Sequence, residues 1–283
     1  MSPSNISAVR SYGGSYIGRR RNNEDSLGKR EPGDLEVRRR RGCLYVVCDG
    51  MGGHSAGEIA SRLAVETILK EYYAAPGEPA ESLVASIQLA NSRIFQEAGE
   101  DLDRAGMGCT VIACVILEDR ALIAHVGDSR AYLFRDGELK LLTRDHLHIT
   151  EDLGLDQEVA KRHRLRHMLS RALGKGPEVQ VDCETRPWAP GDRFLLCSDG
   201  LSNALSEAEF GTGLSEPGPR EAVVWLLRQA EENQADDNSS GIVVAISAAP
   251  PQTDEPEPSR DREGADPPGR LSRWLRGFGR RRE

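Results

Sequence analysis

Between residues 109 and 142, four short apolar runs follow one another with links of only two or three residues: 109–117 (CTVIACVIL), 120–126, 130–135 and 138–142. Each is too short for a buried helix and reads as a strand. A parallel pairing needs a crossover of about a dozen residues or more, so strands linked this tightly must be antiparallel neighbours. Asp136-Gly137 is a two-residue hairpin link, because both central positions of such a turn take positive φ. Further strand-like runs stand at 43–48 (CLYVVC), 178–187, 192–198 and 241–247. Helical spacing marks 55–73 (Ile59, Leu63, Ile68, Leu69, with Ser55 as N-cap), 80–98 (Leu83, Ile87, Leu89, Ile94, Phe95) and 219–233. Strands in runs and helices in pairs imply an α+β fold with antiparallel sheets and exclude a doubly wound one.

This patterning ends near Ser247, so residues 1–247 read as one domain. Residues 248–269 are rich in Pro, Asp and Glu without apolar periodicity, and are expected to be a disordered linker. Residues 270–283 carry six Arg and one Glu, and place Leu271, Trp274, Leu275 and Phe278 on one helical face. This basic tail offers weak contact with an anionic membrane surface or an acidic partner, against the plainer reading of a solvated, frayed end. Within the domain, the polar, His- and Arg-rich stretch 144–171 breaks the pattern and reads as a mobile insertion. His163 and His167 could share a helix face there, but the arginines crowding them argue against a metal.

The chain as a whole is acidic, with a formal charge of −8, so a dedicated nucleic-acid role is not expected. Its start has no apolar leader and no run approaches a membrane span, which points to the cytoplasm. The six cysteines (Cys43, Cys48, Cys109, Cys114, Cys183, Cys197) form no C-x-x-C pair and read as small buried hydrophobes in a reducing compartment.

The chemistry lies in acids at the ends of apolar strands. Asp49 ends CLYVVCDG, Asp128 ends LIAHVGDSR, Asp199 ends RFLLCSDG, and Asp237 precedes the final strand. A carboxylate at the rim of a core is costly unless a cation compensates it. One such acid is an ordinary turn former, but four of the same kind are hard to dismiss. Oxygen-only ligands favour Mg²⁺ or Mn²⁺ over zinc. The glycines of DGMGGHSAGE let backbone approach an ion or phosphate, so the Gly50 carbonyl can join Asp49 as a ligand. GRRRNNEDS sets arginines, the natural fork for a phosphate dianion, beside Glu24 and Asp25. Carboxylates around two divalent ions, with a phosphate-binding Arg, point to phosphoryl hydrolysis by in-line attack of a metal-bridging hydroxide. The G-x-x-x-x-G-K-[ST] loop of nucleotide-driven enzymes is missing.

The ordered set R-R-N-N-E-D (20–25), D-G-M-G-G-H-x-A-G-E-x-A-S (49–61), G-C-T (108–110), V-G-D-S-R-A-Y (126–132), L-T-R-D-H (142–146), S-R-A-L-G (170–174), L-C-S-D-G-L (196–201) and D-N-S-S (237–240) resembles the metal-dependent protein phosphatase family (PPM, protein phosphatase type 2C), bacterial branch. The resemblance spans roughly residues 8–247. It implies a sandwich of two antiparallel β-sheets flanked by helices on both sides, with a flap insertion at about 144–169. It implies a protein-serine/threonine phosphatase with two Mn²⁺ or Mg²⁺ ions and a third, weaker one. Carried over by position, Asp49 resembles the bridging ligand, Gly50 gives its carbonyl, and Asp199 and Asp237 hold one metal. Glu24 reaches the other metal, Asp128 matches the third-metal ligand, and Arg20 matches the phosphate-binding arginine.

Three departures are noted. Met51 stands where eukaryotic relatives place a histidine thought to protonate the leaving group, and His54 is a candidate substitute. Cys109 stands where Thr is usual, and the flap matches the family only loosely. The expected partners are phosphorylated proteins, among them Ser/Thr kinases and their substrates, met by a monomer. The alternative function is a catalytically weak phosphatase-like binding or sensor module, whose signature would be loss of a metal carboxylate.

Overall fold

The computed structural model describes residues 8–52, 56–148 and 168–247. Two antiparallel sheets stack face to face. One runs β1 (Ala8–Tyr16), β11 (Ser239–Ser247), β10 (Arg193–Cys197), β7 (Arg130–Arg135), β8 (Glu138–Leu141). The other runs β2 (Asp25–Arg30), β3 (Cys43–Met51), β5 (Val111–Ile116), β6 (Arg120–Val126), β9 (Asp182–Pro187), with the two-residue β4 (Gly108–Cys109) paired to the end of β3. Helices α2 (Ala56–Ala74) and α3 (Pro79–Glu100) cover the second sheet. The short α4 (Asp199–Ala204), α5 (Glu207–Leu214) and α6 (Pro219–Glu232) cover the first. The expected α+β sandwich flanked by helices is the fold observed.

The two-residue period of the strands builds the layers. On β3, Leu44, Val46 and Cys48 lie under the helices, while Cys43, Tyr45 and Val47 enter the layer between the sheets. There they meet Ile112 and Cys114 of β5, Phe194 and Leu196 of β10, and Ile242 and Val244 of β11. The same parity sends Asp49, the next odd position, to the open end of this inter-sheet layer.

Several elements carried no sequence signal. β1 (AVRSYGGSY) lacks alternation, yet pairs with β11 over its whole length. Gly14 lets it pack closely under α6, since a Cβ there would stand 2.9 Å from Leu227 Cδ1. β2 has one apolar residue besides its glycine and is held by β3. Helix α1 (Leu35–Arg41) buries no residue and rests on the Asp34 cap, which accepts from the Glu36 and Val37 amides. The run 109–117 breaks at Thr110, whose backbone N–H turns to the Asp49 carbonyl at 2.8 Å. Ser55, His54, His163, His167, residues 149–167 of the flap, and the whole linker and tail lie outside the described residues. Among the described residues, no helix is long and apolar enough to cross a membrane.

Candidate active site

The end of β3, the β6–β7 turn, the β10–α4 junction, the α6–β11 loop and the β1–β2 loop all open at one end of the inter-sheet layer. They enclose a cleft of about 1120 Å³ whose walls include Arg20, Glu24, Asp49, Gly50, Asp128, Asp199 and Asp237, every site residue expected from the sequence.

The motif residues between these acids hold the loops together. The Gly50 amide donates to the Glu24 carbonyl at 3.1 Å. A Cβ on Gly50 would overlap the Gly57 carbonyl and stand 2.6 Å from that of Glu24, so only glycine lets three segments meet here. Thr110 joins two acidic turns: its Oγ1 accepts the Asp49 amide at 3.1 Å and lies 2.6 Å from Ser129 Oγ, beside Asp128. Asn238 ties the last loop to the first. Its Oδ1 accepts the Glu24 amide at 2.8 Å, and its Nδ2 donates to the carbonyls of Ile17 and Asn22. The Ser198 hydroxyl donates to Asp25 Oδ2 at 2.9 Å and accepts the Ser240 amide at 3.0 Å.

The convergence is electrostatically costly. Burial at the cleft floor pushes the Asp49 carboxyl well above its ordinary range, and the charges of Asp25, Asp199 and Asp128 push it further. Asp128 is raised well above its ordinary range by burial and by Asp199. Burial, with Asp199 and Asp237 adding, takes Asp25 to about 8. Glu24 is raised by burial against the opposing pull of Arg20. Asp25 Oδ1 is buried without a hydrogen-bond partner. Arg20 Nη2 donates to Asp237 Oδ2 at 2.6 Å, and among the described lining residues the other fixed cation is Lys175. A set of mutually repelling carboxylates with an orphaned oxygen is what divalent cations with oxygen ligands would satisfy. The residues therefore fit Mn²⁺ or Mg²⁺.

Sequence reasoning left Asp25, Thr110, Ser198 and Asn238 without roles. Asp25 had a signal, its place after Glu24, but the register that sets it opposite Asp49 becomes visible only once β2 is known. Cys114 and Arg120 stand six apart, the C-x₅-R spacing of thiol phosphatases. Cys114, however, is fully buried in the inter-sheet core, where desolvation pushes its thiol far up and leaves it inert. Cys109 is likewise buried, with its Sγ 3.7 Å from the Ala60 carbonyl, so it serves as core.

A two-sheet sandwich between helices, with an all-oxygen acidic cleft at one end and an arginine in its wall, is the architecture of a metal-dependent phosphatase. The family model described as protein phosphatase 2C matches residues 12–237, and the chain belongs to that family. It is 38% identical over 234 residues to the serine/threonine phosphatase stp of Listeria innocua, spanning 80% of this chain and 90% of the relative. Among solved structures, the catalytic domain of the serine/threonine phosphatase PstP in complex with two manganese ions superposes with a TM-score of 0.71 at 33% identity, covering 84% of this chain and 98% of that one. The Mycobacterium smegmatis phosphatase MsPP in complex with cacodylate gives a TM-score of 0.72 at 30% identity, covering 87% and 100%.

Proposed function

We propose that this cleft hydrolyses phosphoserine and phosphothreonine monoesters of proteins, with Asp49, the Gly50 carbonyl, Asp199, Asp237, Glu24 and Asp128 as the metal-binding set. The chain is a metal-dependent serine/threonine phosphatase acting on phosphorylated proteins. Divalent ions, when bound, supply Lewis acidity toward phosphoryl oxygens and lower the pKa of water. The chain's own part is to hold the carboxylates in place, to present the Arg20 guanidinium as a fork for the phosphate, and to seat the phosphorylated residue in an open cleft. The observation that carries this reading is the meeting of seven expected residues from five separate segments in the walls of one cleft.

The finer reading is of a cytoplasmic monomer that reverses Ser/Thr kinase signalling, with residues 1–247 as its catalytic unit and weak surface contact through the basic tail. Six free cysteines support a reducing compartment. The deciding experiment is hydrolysis of a phosphothreonine peptide with and without Mn²⁺ or Mg²⁺, by the full chain and by a variant ending at residue 247. Activity is expected only with metal, and turnover that survives thorough chelation overturns the reading.

A further inference from the structure

Asp128 is gripped from both sides by one dipeptide. Arg130, two residues after it, donates Nε and Nη2 to the two oxygens of Asp145 at 2.9 and 2.6 Å, in a buried pair. Gly127, just before it, makes two hydrogen bonds with His146. The His146 amide donates to the Gly127 carbonyl at 3.0 Å, and the Gly127 amide donates to His146 Nδ1 at 3.1 Å. A third wall closes the turn: Gly127 has φ +105°, and a Cβ on it would stand 2.6 Å from Thr110 Cγ2.

The histidine is itself fixed. Because Nδ1 accepts, the network assigns the proton to Nε2, which donates to Asp182 Oδ2 at 3.2 Å. The other oxygen of Asp182 takes Arg171 Nη1 at 2.7 Å. His125 stacks on the ring with centroids 4.5 Å apart, and its own Nε2 lies 2.9 Å from the Arg144 carbonyl. His125, His146 and Asp182 bring ligand-type atoms within 4.8 Å of one another, as a metal site would. Here, however, both His146 nitrogens are engaged and a guanidinium sits on the carboxylate, so the cluster is a clamp. The clamp reaches further: the Ser170 amide donates to the His146 carbonyl at 3.0 Å, joining the two strands of chain that flank residues 149–167.

We infer that His146 is a positioning residue for Asp128: by fixing the Gly127 peptide from both sides it sets where the Asp128 carboxylate stands relative to Asp199 and Asp49. It also gives a physical reason for the G-D-S-R and R-D-H segments to occur together. The inference rests on Asp128 being a metal ligand, and its test must separate the two.

Isosteric variants divide the ring's two contacts. In His146→Asn the side-chain oxygen replaces Nδ1 as acceptor for Gly127; in His146→Gln the amide replaces Nε2 beside Asp182. Mn²⁺ binding to the full chain is counted from the paramagnetic resonance of free Mn²⁺ and by calorimetry. His146→Gln is expected to weaken the weakest Mn²⁺ site by about tenfold or more, the usual scale for groups that orient a ligand, and to leave tighter sites within about twofold. His146→Asn is expected to recover most of that loss. Asp128→Asn should remove the same site, and His146→Gln added to it should change nothing further. Should His146→Gln fail to fold, Arg130→Lys, which loosens the other side of the turn, must weaken the same site. Equal weakening by Asn and Gln, an undiminished Gln effect in the Asp128→Asn background, or no effect of Arg130→Lys overturns the positioning role while Asp128 stands as a ligand. Mn²⁺ binding unchanged by Asp128→Asn instead removes Asp128 from the ligand set, and the inference with it.

Discussion

Asp25 and Asp49 are register partners on adjacent antiparallel strands. Both stand at the inter-sheet end of the sandwich, and both carboxyls are held above their ordinary range. Like charges directly opposite each other on neighbouring strands destabilise a sheet. This pair is therefore kept at a cost to the fold that bound cations would offset.

The two effects should separate in Asp25→Asn. In the chelated protein the substitution removes a desolvated acid that must take up a proton to stay buried beside Asp199 and Asp237. The expected result at neutral pH is a melting temperature raised by about 2–4 °C, equivalent to about 1 kcal/mol in a domain of this size. With Mn²⁺ the order should reverse, because cations held by the neighbouring acids would favour a carboxylate at position 25 over a neutral amide. Paired thermal melts in EDTA and in Mn²⁺ check this, and a variant that melts lower in both disproves it.

Asp49 and Asp199 reach the cleft from different sheets, on β3 and at the start of α4. Each of Asp49→Asn and Asp199→Asn is expected to lower kcat toward p-nitrophenyl phosphate by about a thousandfold or more. Losing a metal-positioning carboxylate removes several kcal/mol of charge stabilisation, at about 1.4 kcal/mol per decade of rate. Neither chelated variant should melt below the chelated parent, which distinguishes a lost ligand from a lost fold.

The four aspartates were legible because an apolar run announces where it begins and ends, and an acid within a few residues of either end must lie at the rim. What joins them was not. Asn238 reaches the Glu24 amide across more than two hundred residues, a contact no local pattern encodes. Thr110 sits in an apolar run and reads as core, although its hydroxyl links Asp49 to Ser129. β2 was missed because its central Gly28 is selected by close approach to Val65 and Leu69 of α2, not by strand propensity. The antiparallel layout followed from link lengths alone, whereas β1 and β2 exist through their long-range partners.

Arg20 is more than half exposed and shares its guanidinium with Asp237. A charge-assisted hydrogen bond contributes about 1.5–3 kcal/mol, so Arg20→Ala should raise KM for a phosphopeptide by about ten- to a hundredfold. Arg20→Lys should recover only part of this, because an ammonium is a point charge and not a fork. Steady-state kinetics in saturating Mn²⁺ gives the answer, and full recovery by Lys contradicts the fork.

Gly50→Ala should be costly in spite of its size. The new methyl has to displace backbone, that of Gly57 and Glu24, instead of a flexible side chain. Overpacking of this kind costs about 1–3 kcal/mol. It would also part the Gly50 amide from the Glu24 carbonyl, so urea unfolding and Mn²⁺ affinity should both fall.

His146 makes stability depend on pH in a defined direction. Burial lowers its pKa to about 4, the His125 and Arg171 charges add to the effect, and Asp182 opposes it. In the unfolded chain a histidine titrates near 6.5. The folded state therefore binds fewer protons than the unfolded state between about pH 6.5 and 4, and stability must fall as the pH falls through that window. The contribution is fully present above 6.5 and lost progressively toward 4. The side chain is 1% exposed, so solvent screening is slight. Asp182, whose pKa is lowered from 3.8, titrates below the window and does not mask the effect. Between pH 7 and pH 5 the chelated protein should lose about 2 kcal/mol more unfolding free energy than His146→Asn, which cannot take up the proton. Urea unfolding of both proteins at the two pH values measures the difference. Identical losses would mean that His146 takes up its proton as readily in the fold as in the unfolded chain, which would overturn its role as a buried, neutral acceptor of the Gly127 amide.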